Sequence, residues 1–346
     1  MEGKWGRILT IDACSGTMNA TIYFYQKGFL MRSKDKSVVF AYLGIIAVIF
    51  AWGLIPSAKK ALIGDAFSAS VYTVITTFSA ALVLLILSAK SLKRMDRSYF
   101  KLAIPTGLCV GAASLAQALA YNFNASPVNQ AFLENISCIV VPVLLFIFIK
   151  KRPRILTVIA AILCLLSSFI LTGMFKGGSS FCTADILNAL AGVFYGLNIA
   201  LTGIYAKKYV ASLYVMIQLF VQSFFSLGMA VAFHFIKTDG VPIDAFRFTA
   251  DVSLILAVIG IGILTNAICW TIRTSAMKYV SPTAVAIIMP FSSVITGFFA
   301  VAIGQDTFSP SLAIGAVLGF LSCVASGFGE LEKNPKESAP LVEDRH

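Results

Sequence analysis

Apolar residues in this chain fall into runs of about 20, each long enough at about 1.5 Å rise per residue to cross a hydrocarbon core. Short polar or basic connections separate them. The pattern predicts ten membrane-spanning helices, at roughly 37–56, 68–88, 102–121, 126–149, 155–174, 184–205, 212–236, 252–272, 283–303 and 310–328. Residues 1–36 hold no run of that length and no secretory signal, and the polar tail 329–346 is expected to be disordered. Met31, followed by Arg32, Lys34 and Lys36, would make a natural start, so 1–30 read as an extension.

One span breaks the apolar rule. The stretch 126–149, SPVNQAFLENISCIVVPVLLFIFI, carries Asn129, Gln130, Glu134 and Asn135 in its first half. A carboxylate inside a span costs about 2.5–3.5 kcal/mol on insertion scales and normally faces a bundle interior or a wet cavity. The stretch has an echo 155 positions later, at 281–304: Ser126 matches Ser281, Pro127 matches Pro282, Ala131 matches Ala286 and Ser137 matches Ser292. The same offset holds in the following span, where Ile159, Ala161, Leu163, Leu166 and Ser167 meet Ile314, Ala316, Leu318, Leu321 and Ser322. Five spans per copy is an odd number, so the second copy enters from the opposite face. That predicts an all-α integral membrane fold, two inverted five-helix repeats (37–174 and 184–328) around a central cavity.

Composition agrees: 58% of the 346 residues are hydrophobic and only 12% are charged, against about 25% charged in soluble domains. The net charge of +11 lies in short tracts between spans, which argues against nucleic acid as a partner and for orientation in the membrane. Alternate connections are basic. With Lys4 and Arg7 left out as too distant, 20 Lys and Arg fall on one side and five (Lys59, Lys60, Lys176, Lys237 and Arg247) on the other. The positive-inside rule then places both termini in the cytoplasm. Seven cysteines form no CxxC and two histidines complete no zinc set, so no metal and no disulfide framework is expected. HExxH, GxSxG and P-loop patterns are absent, so neither an enzyme nor a cofactor is expected.

Trp52-Gly53 in the first span, Ser126-Pro127 with Ala131 and Pro142, and Ser281-Pro282 with Ala286 and Pro290 together resemble the drug/metabolite transporter superfamily, in its ten-span EamA-type branch. The likeness covers about 37–328. It implies a pseudo-twofold bundle with a central substrate cavity, alternating access on small metabolites, and often export. Members often carry a small or hydroxyl residue where this chain has Glu134, which implies a substrate or coupling chemistry of its own.

The candidate substrate-binding residues are Glu134, Gln130, Trp52, Gln117, Tyr195, Asn198, Gln222 and Asn266. Gln130, Glu134 and Ser137 share a helix face at i, i+4 and i+7, a face that could hold an ammonium group or exchange a proton. A protonated acid bonded to neighbouring helices is the alternative. The amides line a cavity or act as interhelical glue, at about 0.6 kcal/mol each. Trp52, Tyr121 and Trp270 lie near span ends, where an interfacial belt explains them as well as stacking does, and Tyr195 lies deeper. The expected function is secondary transport of a small polar or amphipathic metabolite, such as an amino acid, across the cytoplasmic membrane. Protons are the expected coupling ion, and the chain is expected to act as a monomer or homodimer. A lipid or polyprenyl-carrier flippase, or a non-transporting receptor or channel, is the alternative.

Overall fold

The structure, a computed structural model, describes residues 33–63, 66–123, 130, 133–150, 153–171, 182–238, 241–303 and 310–331. The Ser126-Pro127 pair, Asn129 and Ala131, the N-terminal extension and the tail beyond residue 331 lie outside the described residues. The chain divides into two compact units, Met1–Phe40 and Ala41–His346. In the first, the described part is the opening of one helix; the second holds everything else below.

Helices dominate: α1 (Ser33–Leu62), α2 (Ala69–Leu87), α3 (Arg97–Leu119), α4 (Ser137–Ile149), α5 (Ile155–Leu171), α6 (Thr183–Tyr205), α7 (Ala211–Phe235), α8 (Val252–Gly262), α9 (Trp270–Ala276), α10 (Pro282–Ile288), α11 (Phe291–Ala302) and α12 (Pro310–Leu331). Among the described residues seven segments are long and apolar enough to cross a membrane, and three shorter apolar helices cover Glu134–Ile149, Ile155–Ile170 and Ala313–Ser326.

The helix starts are written locally. Asp96 caps α3 by accepting from the Ser98 amide at 3.0 Å, and Asp251 caps α8 by accepting from the Ser253 amide at 2.8 Å. The Ser281 hydroxyl accepts from the Ala284 amide at 3.2 Å, with Pro282 in the first turn of α10, so this Ser-Pro pair is a helix-start signal. The start of α2 is different. Its own cap residue, Ser68, makes no side-chain cap bond. Instead Asp244, far along the chain, accepts from the Ala69 and Ser70 amides at 3.1 and 2.8 Å, from the Ser70 hydroxyl, and from Asn122 Nδ2 at 3.0 Å. The connection holding Asp244 also contains a short hairpin, β1 (Lys237–Thr238) with β2 (Val241–Pro242).

Three predicted spans have interior detail that periodicity does not show. The segment 252–276 changes to a π-helix over Ile263–Cys269 between α8 and α9. The segment 282–302 breaks at Met289-Pro290 between α10 and α11, because proline cannot donate to the helix ladder. Glu134 lies in a 3-10 turn, Glu134–Ile136, that leads into α4.

Packing is inside-out relative to a soluble protein. Ile86, Leu87, Ile155, Phe224, Val317 and Phe320 are exposed, while Thr106, Asn188, Asn198, Gln218 and Gln222 are buried. An apolar exterior of this kind suits lipid, which makes no demand for polar surface. The best-packed helix pairs are α5 with α12, α2 with α7, and α3 with both α6 and α7. The two largest apolar clusters among the described residues tie these helices together. One joins Ile45, Val48 and Ile49 to Val141, Leu145, Ile199 and Val285. The other joins Ala80 and Leu84 to Val110, Leu213 and Ile217.

Candidate functional site

A cavity of about 150 Å³ lies inside the second unit, on the order of ten times the room one water needs. Its wall comes from several helices and from their irregular points. Helix α1 supplies Trp52, Pro56 and Lys59; α2 supplies Tyr72, Thr73, Thr76 and Thr77; α3 supplies Ser114 and Gln117. The turn before α4 gives Glu134 and Asn135, α6 gives Tyr195, and α7 gives Gln222. The π-helix brings Thr265 and Asn266, α9 brings Trp270 and Arg273, and the α10–α11 break brings Met289, Pro290 and Ser292. π-helical turns spoil regular backbone bonding, and the Thr265 carbonyl accepts from Trp52 Nε1 at 3.4 Å.

Around Glu134 the charges answer each other. Gln117 Nε2 donates to Glu134 Oε1, as does Gln130 Nε2 at 3.1 Å, and Lys59 Nζ donates to Gln117 Oε1. One amide thus joins an ammonium to a carboxylate. The backbone of this turn is pressed against α6: a Cβ on Gly192 would lie 2.8 Å from the Leu133 carbonyl oxygen and 3.0 Å from that of Glu134. Glycine at 192 is what lets α6 come close enough to hold the turn in place.

Around Arg273 the arrangement differs. The guanidinium carbon lies 3.8 Å from the Trp270 ring centroid and 5.7 Å from that of Trp52. The two indoles are themselves 5.9 Å apart, and Tyr195 is 6.1 Å from Trp270. Arg273 donates to Asn198 Oδ1 at 2.8 Å, while Asn198 Nδ2 donates to the Thr106 carbonyl at 3.3 Å. Among the described residues Arg273 Nε has no acceptor, and Tyr72 OH, Gln130 Oε1 and Gln222 Oε1 have no partner either.

Of the eight residues singled out from the sequence, seven line this cavity: Glu134, Gln130, Trp52, Gln117, Tyr195, Gln222 and Asn266. Asn198 does not. It points at Thr106 and Arg273, so it orients the arginine and does not face the open space. Two cavity residues were misplaced by the sequence reading. Lys59 was counted as an outer connection charge, yet α1 continues to Leu62 and keeps it in the helix. Arg273 was counted as an inner connection charge, yet it is 2% exposed inside the bundle. A signal for both existed. Trp52, Pro56 and Lys59 repeat the i, i+4, i+7 spacing of Gln130, Glu134 and Ser137, and Asn266, Trp270 and Arg273 repeat it again.

Residues 183–328 match the model of the EamA-like transporter family, which places a transporter domain in the second half of the chain. No curated protein matches the chain at a significant level. Among solved structures 28 chains match; one, a crystal structure of a protein, superposes with a TM-score of 0.65 at 16% identity, over 85% of this chain and 99% of the other. At that identity the likeness concerns the fold. The family match and the apolar helices support a multi-pass membrane protein whose second half is similar to a transporter domain.

Proposed function

We propose that the chain is a secondary transporter that exports a small polar or amphipathic metabolite across the cytoplasmic membrane by alternating access. The observation that carries this reading is the cavity, lined by amides, hydroxyls, aromatic rings and three charged side chains inside helices with an apolar exterior. Buried polar groups without partners cost roughly 1–3 kcal/mol each, so a cavity that keeps several is shaped for something that brings the missing partners.

The architecture that goes with this reading has ten spans in two inverted five-helix repeats, both termini in the cytoplasm. It is supported by the three shorter apolar helices, which fall at the three remaining predicted positions, and by the constant sequence offset. Removing Lys59 and Arg273 from the connections leaves 19 inner against four outer basic residues, so the orientation argument survives the correction. In this reading Glu134 couples transport to a proton, exchanging it with solvent as the cavity changes exposure, with Lys59 as the charge that answers it.

The test is flux in proteoliposomes loaded with a metabolite mixture and given an imposed pH gradient. Loss of specific compounds from the lumen by wild-type protein, with the pH dependence absent in Glu134→Gln, is the expected outcome. An unchanged pH profile in that variant would remove Glu134 as the coupling group. No protein-dependent flux of any component would remove the transport reading itself.

A further inference from the structure

We infer that the cavity binds an organic monocarboxylate, its carboxylate held by Arg273 and its apolar body against Trp52, Trp270 and Tyr195. The inference rests on the transport reading for its biological sense but concerns binding alone.

The argument is one of charge and of open donors. Among the described lining residues the charged groups are Lys59, Glu134 and Arg273, two cations against one carboxylate, which leaves one positive charge in the cavity. Glu134 and Lys59 already share an amide, so the surplus belongs to Arg273. Among the described residues its partners are one amide oxygen and two indole faces, none of them an anion, and Nε is open. A guanidinium presents a planar fork that matches a carboxylate at two points, and its cost of burial falls when an anion arrives. A single fork with one net charge suits a monocarboxylate better than a phosphate dianion. The same balance disfavours a zwitterion, whose ammonium would have to take Glu134 away from Lys59. The three rings have tilted planes, 53° between the indoles and 45° between Tyr195 and Trp270, and all three line the cavity together with the guanidinium.

Purified full-length protein in detergent, followed by thermal unfolding, reads binding without any need for transport, since a ligand of the folded state raises the midpoint. The probes are benzoate, pentanoate, benzyl alcohol, benzylamine, phenylalanine and sodium sulfate. The expected result is a concentration-dependent rise with the two carboxylates only. In Arg273→Gln the benzoate affinity should fall by on the order of a hundredfold, the usual scale for removing one member of a buried charge pair. Arg273→Lys, which keeps charge but loses the fork, should fall between. Asn198→Asp is the second route, should Arg273→Gln fail to fold. It places a carboxylate on the guanidinium from within and should abolish the benzoate response in a folded protein. Equal shifts with benzyl alcohol, benzylamine, phenylalanine or sulfate would overturn the inference, as would a benzoate response retained in either Arg273→Gln or Asn198→Asp. Absence of any carboxylate response in the wild type would overturn it too. Because flux is not measured, these results stand apart from those that decide the transport reading.

Discussion

Asp244 and Arg273 are both buried charges, 3% and 2% exposed, and the protein treats them in opposite ways. Asp244 is met by two backbone amides at a helix start, a hydroxyl and a side-chain amide, so both oxygens are committed within the fold. Arg273 is given one amide oxygen and two ring faces, and part of its donor set stays open beside a cavity. The difference teaches how to sort buried charges. One whose bonding is completed by the fold holds the fold; one left incomplete next to open space is where binding is to be tested. The Lys59–Gln117–Glu134 link stands between them, complete in charge yet lining the cavity.

The largest effect that follows from this contrast is at Asp244. Asp244→Ala strips the acceptors from the Ala69 and Ser70 amides at the start of α2 and from Asn122, leaving buried donors unpaired. The thermal midpoint in detergent should drop by the equivalent of about 3 kcal/mol, with Asp244→Asn recovering part of it. A drop no larger than that of a surface substitution would mean that the network does not hold α2, and the contrast with Arg273 would collapse.

A smaller effect tests the intermediate case. Lys59→Met leaves the Glu134 charge without its answering cation, and Glu134→Gln does the reverse. Each should destabilise alone, while the double variant should recover about 1–2 kcal/mol relative to their sum. The double-mutant cycle is read from unfolding midpoints. Additive losses would show that the two charges do not feel each other through Gln117, and would return Lys59 to the role of a free cation in the cavity.

The legibility of this molecule in its sequence divides along the same line. Apolar runs, caps such as Asp96 and Asp251, and the Ser281-Pro282 start are local statements, and a local reading finds them. Glu134 was found because a carboxylate in an apolar run is costly wherever it lies. Lys59 and Arg273 were missed because a basic residue near a span end is equally at home in a connection, and only the continuation of α1 and the turn of α9 decide. Asp244 was missed for a stronger reason. Its partners are 122 to 175 positions away, and no periodicity carries that information. The π-helix at Ile263–Cys269 has no compositional mark, yet it is what presents Thr265 and Asn266 to the cavity.

The smallest predicted effect concerns charges the fold leaves exposed. Asp96 and Asp251 cap α3 and α8 from outside the spans, and in each the carboxyl is held below its usual range. At Asp96 the first cause is the Ser98 side-chain hydrogen bond, and at Asp251 it is the bond from Ser253. A carboxyl whose folded value lies below its unfolded one adds stability above the unfolded value, and loses that contribution as pH falls through the folded one. Acidification from neutral pH through the carboxylate range should therefore remove the two caps together with their favourable placement at positive helix ends. Asparagine caps a helix about as well as aspartate and does not titrate there. The Asp96→Asn/Asp251→Asn double variant should match the wild type near neutrality and lose less of its unfolding midpoint on acidification. Since both groups are fully exposed, the difference should be smaller than either effect above. Identical acid profiles for the two proteins would show that these caps bond the same way whether charged or neutral, and would leave only the interior charges to set the response to pH.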